Sequence, residues 1–121
     1  MARVEGLAVH HLALRTRDLP RLVDFYTDIF QLPVARETPG YSAWLRAGGA
    51  VVMIEQAAPE EPDVPAGSRE LVAFAVSDEG RAAVRERLAA RGVALDGETQ
   101  FTTYFRDPDG RRVGVSTCPL G

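Results

Sequence analysis

The sequence predicts an α+β fold of two tandem βαβββ modules whose curved mixed sheets form a cup-shaped cavity. Three observations carry this. The chain resembles itself at a spacing of 60 residues: Leu12-Ala13-Leu14 matches Val72-Ala73-Phe74, Asp18 matches Asp78, and Trp44 falls opposite Tyr104. Each half opens with an apolar, β-rich run and passes into a helical stretch. Each half then closes with three short strand patterns separated by turn residues.

The elements follow in order. Val9 to Thr16 reads as the first strand and Leu71 to Ser77 as its counterpart. Asp18 and Asp78 stand where a helix N-cap belongs, with carboxylates able to accept from free backbone N–H groups. Pro20 in the first turn sacrifices no helical hydrogen bond. Leu22, Phe25, Tyr26 and Ile29 are spaced i, i+3, i+4, i+7, the stripe of an amphipathic helix. The second helix is poorer, with Val84 and Leu88 among Ala and Arg, and stops at Gly92. Strands are expected at about 33–38, 41–47 and 49–56, turned by Pro39-Gly40 and Gly48-Gly49. Their counterparts fall at about 93–98, 100–106 and 111–117, with Asp107-Pro108-Asp109-Gly110 as a structural turn. One domain results: module one at about 6–56, a Pro- and acid-rich linker at about 57–69, and module two at about 70–118.

Composition narrows the functions. At 121 residues the chain buries roughly two-thirds of its unfolded surface as one domain. Fourteen basic against seventeen acidic residues give a net charge of −3, and no basic cluster exceeds Arg111-Arg112, which argues against nucleic acid. No apolar run reaches membrane-spanning length, and the start lacks the layout of a signal peptide. Cys118 is the lone cysteine, too few for an internal disulfide, so a cytoplasmic location is expected. With two adjacent histidines and one terminal cysteine, no Ser-His-Asp or Cys-His arrangement can be argued. Gly48-Gly49 joins strands and lacks the helix a phosphate loop needs.

The string from His11 through Arg15 and Asp18 to Leu19, followed by Phe25-Tyr26, resembles the opening of a glyoxalase/bleomycin-resistance/dioxygenase module. Tyr104-Phe105-Arg106-Asp107-Pro108-Asp109-Gly110 is similar to the close of its second module. The resemblance implies the vicinal oxygen chelate fold over nearly the whole chain. It implies metal ligands at four positions, the first and last strands of each module. Carried over, these fall on His11, Glu55, Leu71 and Gly114. The last two have no side-chain donor. A catalytic metal of this kind takes three or four protein ligands, so two leave a weak, unselective site. No cofactor is therefore expected, with Ni, Zn, Fe or Mn at His11 and Glu55 as the weaker possibility. His10 offers no repair, because neighbouring strand residues point to opposite faces.

Without a metal, Glu55 needs a partner in its partly apolar surroundings, and either Arg15 or His11 would serve. Arg15 shares the strand face of His11 and resembles a substrate-contacting arginine of glyoxalase-type enzymes. Trp44 and Tyr104 are either core residues or flat walls for a ligand. Met53 shares the face of Glu55, and Arg112 that of Gly114. The ligand-binding candidates are thus Arg15, Trp44, Met53, Glu55, Leu71, Tyr104 and Arg112. The function expected is small-molecule binding of the antibiotic-sequestering type, in a homodimer. The alternative is a glyoxalase-like lyase or isomerase, with His11 or Glu55 as general base and Arg15 holding an oxyanion.

Overall fold

The computed structural model describes residues 2–121. Module one runs β1 (His11–Thr16), α1 (Leu19–Phe30), β2 (Val34–Thr38), β3 (Ser42–Ala47) and β4 (Ala50–Gln56). Module two runs β5 (Leu71–Ala75), α2 (Asp78–Ala90), β6 (Leu95–Glu98), β7 (Thr102–Arg106) and β8 (Arg112–Ser116). Each module forms a four-stranded mixed sheet, ordered β1-β4-β3-β2 and β5-β8-β7-β6. In each, the first strand pairs in parallel with the last, and the other pairs are antiparallel. The sheets stay separate and do not close into one barrel. The duplication extends to irregularities: the register shifts between Val34 and Arg36, and again between Leu95 and Gly97.

Side-chain alternation gives every strand a buried and an open face. On β1, Leu12, Leu14 and Thr16 turn inward while His11, Ala13 and Arg15 are exposed. On β4, Val52 and Ile54 are buried between the open-face residues Val51, Met53 and Glu55. The same alternation buries Thr103 and Phe105 on β7 and Val113 and Val115 on β8.

Asp18 caps α1 by accepting from the Arg21 N–H at 3.2 Å, and Pro20 occupies the first turn. The expected stripe of Leu22, Phe25, Tyr26 and Ile29 is buried together with Leu19. α2 departs from expectation at its start. Ser77 is the N-cap, its hydroxyl accepting from Gly80 N–H at 3.0 Å, while Asp78 lies inside the first turn beside Glu79. There its charge still complements the positive end of the helix dipole. α2 ends before Gly92, whose φ of +70° suits glycine at that exit.

Both modules contribute to one core. Phe105 of β7 is fully buried, with its ring 6.1 Å from both Phe25 and Phe30 of α1, and Phe30 lies 4.8 Å from Phe74 of β5. α1 thus fills space belonging to the second sheet as well as its own. Polar contacts reinforce the junction. Arg91 at the end of α2 pairs with Asp24 and Asp28 of α1 at 3.0 Å and covers the Phe25 ring. Asp107, 4% exposed, accepts from Tyr26 Oη at 2.8 Å and from Arg111 Nη1 at 3.2 Å. It also accepts from the backbone N–H groups of Asp109 and Arg111, so the turn is structural as expected and additionally fastens the modules. Burial and the Asp107 charge hold the Tyr26 hydroxyl well above its usual pKa of 10.0.

Candidate functional site

The candidate residues gather on the open faces of the two sheets, in rows set by strand register. In the first sheet Arg15 stands opposite Glu55, and Glu55 opposite Ser42. The next row aligns Ala13, Met53 and Trp44, and the third aligns His11, Val51 and Arg46. In the second sheet the rows are Leu71, Arg112 and Arg106, then Ala73, Gly114 and Tyr104.

The Arg15–Glu55 pair forms, with Nη1 to Oε1 at 3.4 Å. Arg15 has a closer partner in Glu61 of the linker. Its Nε and Nη2 donate to the two Glu61 oxygens at 2.9 and 2.7 Å, a two-pronged contact. Glu61 also accepts from the Ala58 N–H at 2.6 Å, and Arg15 with this N–H holds its carboxyl down at about 2. Arg17 ties down the same segment, bonding Asp63 at 2.7 Å and the carbonyl oxygens of Ala58, Pro59 and Glu61. In sequence, Glu61 was one acid among several in the linker.

His11 does not meet Glu55. It stands opposite Val51, four register positions along β4, a stagger of roughly 13 Å along the strand. Its ring contact is with His10, Nδ1 to Nδ1 at 2.9 Å. The His10 carbonyl accepts from the Val51 N–H at 3.0 Å, so bonding to β4 reaches one residue before β1.

The donor set does not fit the family's catalytic metal. His11 and Glu55 are staggered, Glu55 is engaged by Arg15, and Leu71 and Gly114 offer carbon. A Cβ built on Gly114 would lie 3.5 Å from Leu71 Cδ1 and 3.4 Å from Thr102 Cγ2, ordinary packing distances, so the surroundings of that position are mainly aliphatic. Among the described residues no three His, Cys, Asp or Glu side chains cluster as a metal site.

Both open-face aromatics carry a guanidinium. Arg112 Cζ lies 4.0 Å from the centre of the Tyr104 ring, and Arg36 Cζ lies 5.1 Å from that of Trp44. Arg112 is fixed by Asp96, which takes its Nε at 3.0 Å and Arg106 Nη2 at 3.1 Å. Arg112, with Arg106, lowers the Asp96 pKa. Asp96 and Arg106 were not among the sequence candidates, because a residue beside a strand bulge has no assignable face until the shift is known. Neither Trp44 nor Tyr104 is fully buried, which places both on the open faces rather than in the core.

Two neighbouring cavities follow the linker and share Val64. One, of about 530 Å³, is lined by Leu71, Val72, Pro65 and Arg112 among others, within the size range of small-molecule sites. The other, of about 280 Å³, is lined by Arg15, Arg17 and Arg21. Trp44, Met53, Glu55 and Tyr104 line neither. The chain therefore groups its candidates on two separate sheets.

Known proteins share this architecture. The family described as the Glyoxalase/Bleomycin resistance protein/Dioxygenase superfamily matches residues 8–115. No protein of curated function matches. Among solved structures, the fosfomycin resistance protein FosX from Listeria monocytogenes is similar at a TM-score of 0.79 and 21% identity, over 98% of this chain and 94% of that one. A lactoylglutathione lyase from Agrobacterium tumefaciens is similar at 0.72 and 21% identity, over 93% and 94%. FosX from Mesorhizobium loti is similar at 0.74 and 21% identity, over 98% and 96%. At such identities these likenesses establish the fold alone. With two register-matched βαβββ modules and a family match over nearly its whole length, the chain belongs to the Glyoxalase/Bleomycin resistance protein/Dioxygenase superfamily.

Proposed function

We propose that this protein binds a small organic molecule on the open faces of its sheets, without a catalytic metal. The observation that carries this is the donor deficit: Leu71 and Gly114 stand at the third and fourth ligand positions. What the faces offer instead suits recognition. Trp44 and Met53 give an aromatic and an adaptable apolar contact, and Tyr104 with Arg112 gives a flat, polar-edged one. A mostly apolar surface with a few fixed polar groups is the general form of a small-molecule site.

Because these groups stand on two separate sheets, we place the complete site between two copies. The first-module face of one meets the second-module face of the other in a homodimer. Sequestration of an antibiotic or natural product in the cytoplasm is the role this suits. The fosfomycin resistance proteins share the fold, but one of them is complexed with Mn(II), so they support neither the metal-free nor the sequestering part of this reading, and their ligand does not transfer.

The test is metal analysis of protein purified without chelator or affinity column, followed by a thermal-shift screen of natural products and calorimetry on the hits. Substoichiometric metal with a saturable hit is expected. Stoichiometric, tightly held Ni, Zn, Fe or Mn would overturn the reading, and a monomer mass by sedimentation at micromolar concentration would overturn the shared site.

A further inference from the structure

All three nitrogens of the Arg15 guanidinium face carboxylates of the chain itself. Nε and Nη2 are held by Glu61 and Nη1 by Glu55. An incoming carboxylate, phosphate or phosphonate would seek the same two-pronged fork that Glu61 already takes. Glu61 is no freely moving surface acid. It is 27% exposed, bonded to the Ala58 N–H, and lies in a segment that Arg17 fastens through Asp63 and three carbonyl oxygens. Tethered in place, it competes as an intramolecular ligand, at an effective concentration of the order of millimolar or above. With two carboxylates around it, the Arg15 guanidinium has no unpaired edge left for an incoming anion.

We propose that Glu61 determines specificity by excluding anionic groups from Arg15, so that the ligand presents a neutral or cationic group there. This rests on the reading that the open face is the binding site, and it names the ligand chemistry at one end of it. A hydroxyl, amide or amine of the ligand finds carboxylate oxygens to donate to. A phosphonate or carboxylate meets a filled fork and like charge.

The experiment follows the Arg15 Nε–Hε resonance of the full-length protein while inorganic phosphate is titrated into the millimolar range. The unmodified protein is expected to show no saturable change. Glu61→Ala frees the fork and is expected to bind phosphate at Arg15 at least about tenfold more tightly. Glu61→Gln keeps an acceptor for Ala58 and should gain less, guarding against a fold defect in the alanine variant. Asp63→Ala loosens the same segment at Arg17 while leaving Glu61 charged and paired with Arg15, and should gain clearly less than Glu61→Ala. Saturable phosphate binding at Arg15 in the unmodified protein would overturn the proposal, as would no gain in Glu61→Ala or an equal gain in Asp63→Ala. None of these outcomes depends on metal content or oligomeric state, so failure here is separable from failure of the proposed function.

Discussion

The Tyr26 hydroxyl on α1 donates to Asp107 Oδ2 in the β7–β8 turn at 2.8 Å, joining residues 81 positions apart across the junction of the modules. Both groups are buried, so the bond is shielded from water and its partners are costly to strand. Tyr26→Phe leaves Asp107 with Arg111 and two backbone donors, and is expected to cost about 1 kcal/mol. Asp107→Ala takes the acceptor from the Tyr26 hydroxyl and from the Asp109 and Arg111 backbone N–H groups, while Arg111 keeps Asp109 and the Arg15 carbonyl, and should cost about 3 kcal/mol. Urea unfolding of both variants measures the difference.

The same tyrosine makes stability depend on alkaline pH. Its pKa is raised in the fold, so the unfolded chain loses the proton first once pH passes 10.0. The contribution is complete below that pH and declines as pH climbs toward the folded value. Tyr26→Phe should therefore unfold less steeply between neutral and strongly alkaline pH. Equal slopes for the two proteins would refute the assignment.

Acid acts on the linker. Glu61 titrates at about 2 in the fold against an ordinary 4.5, so its pairing with Arg15 is present above 4.5 and is lost as pH falls through about 2. Side-chain carboxyl NMR shifts should show the Glu61 midpoint well below 4.5. The Arg15 Nε resonance should move in the same step. A normal midpoint for Glu61 would mean the fork is open in solution.

Phe105→Ala empties space that both modules share. Removing a fully buried phenylalanine costs about 3–5 kcal/mol. The loss should reach α1 although α1 belongs to the other half, because Phe25 and Phe30 are the rings that Phe105 touches. Amide hydrogen exchange in residues 19–30 is the direct measure, and unchanged protection there would contradict a common interior.

Arg112 is held by two contacts of different kinds, the Tyr104 ring and Asp96. Arg112→Lys keeps the charge and loses the planar stack, so it should rescue little of what Arg112→Ala loses in ligand binding. Stability should shift by only about 1 kcal/mol, since Arg106 continues to pair with Asp96. Calorimetry of a confirmed ligand against all three proteins separates stacking from charge.

Most of the fold was legible because its signals are local. Alternation along β1 and β4, the stripe on α1 and the turn residues place every element to within two residues. The start of α2 was misread because Ser77 and Asp78 are adjacent and both favour capping, and only backbone geometry chooses between them. The Arg15–Glu55 pair was among the expected pairs since strand faces fix it, whereas Glu61 reaches Arg15 across 46 positions. His11 and Glu55 share a sheet face but not a place along it: periodicity of two assigns faces, while stagger between strands depends on pairing.

The shared interior also governs what happens when the connection is cut. A protease acting between Val64 and Arg69 would leave both fragments in place, since Phe105, Arg91 and Asp107 all grip α1 from the other side. Pulled apart, each piece would expose phenylalanine rings to water. The nicked protein should therefore behave as a tight non-covalent heterodimer of its own halves, and either half alone should be insoluble.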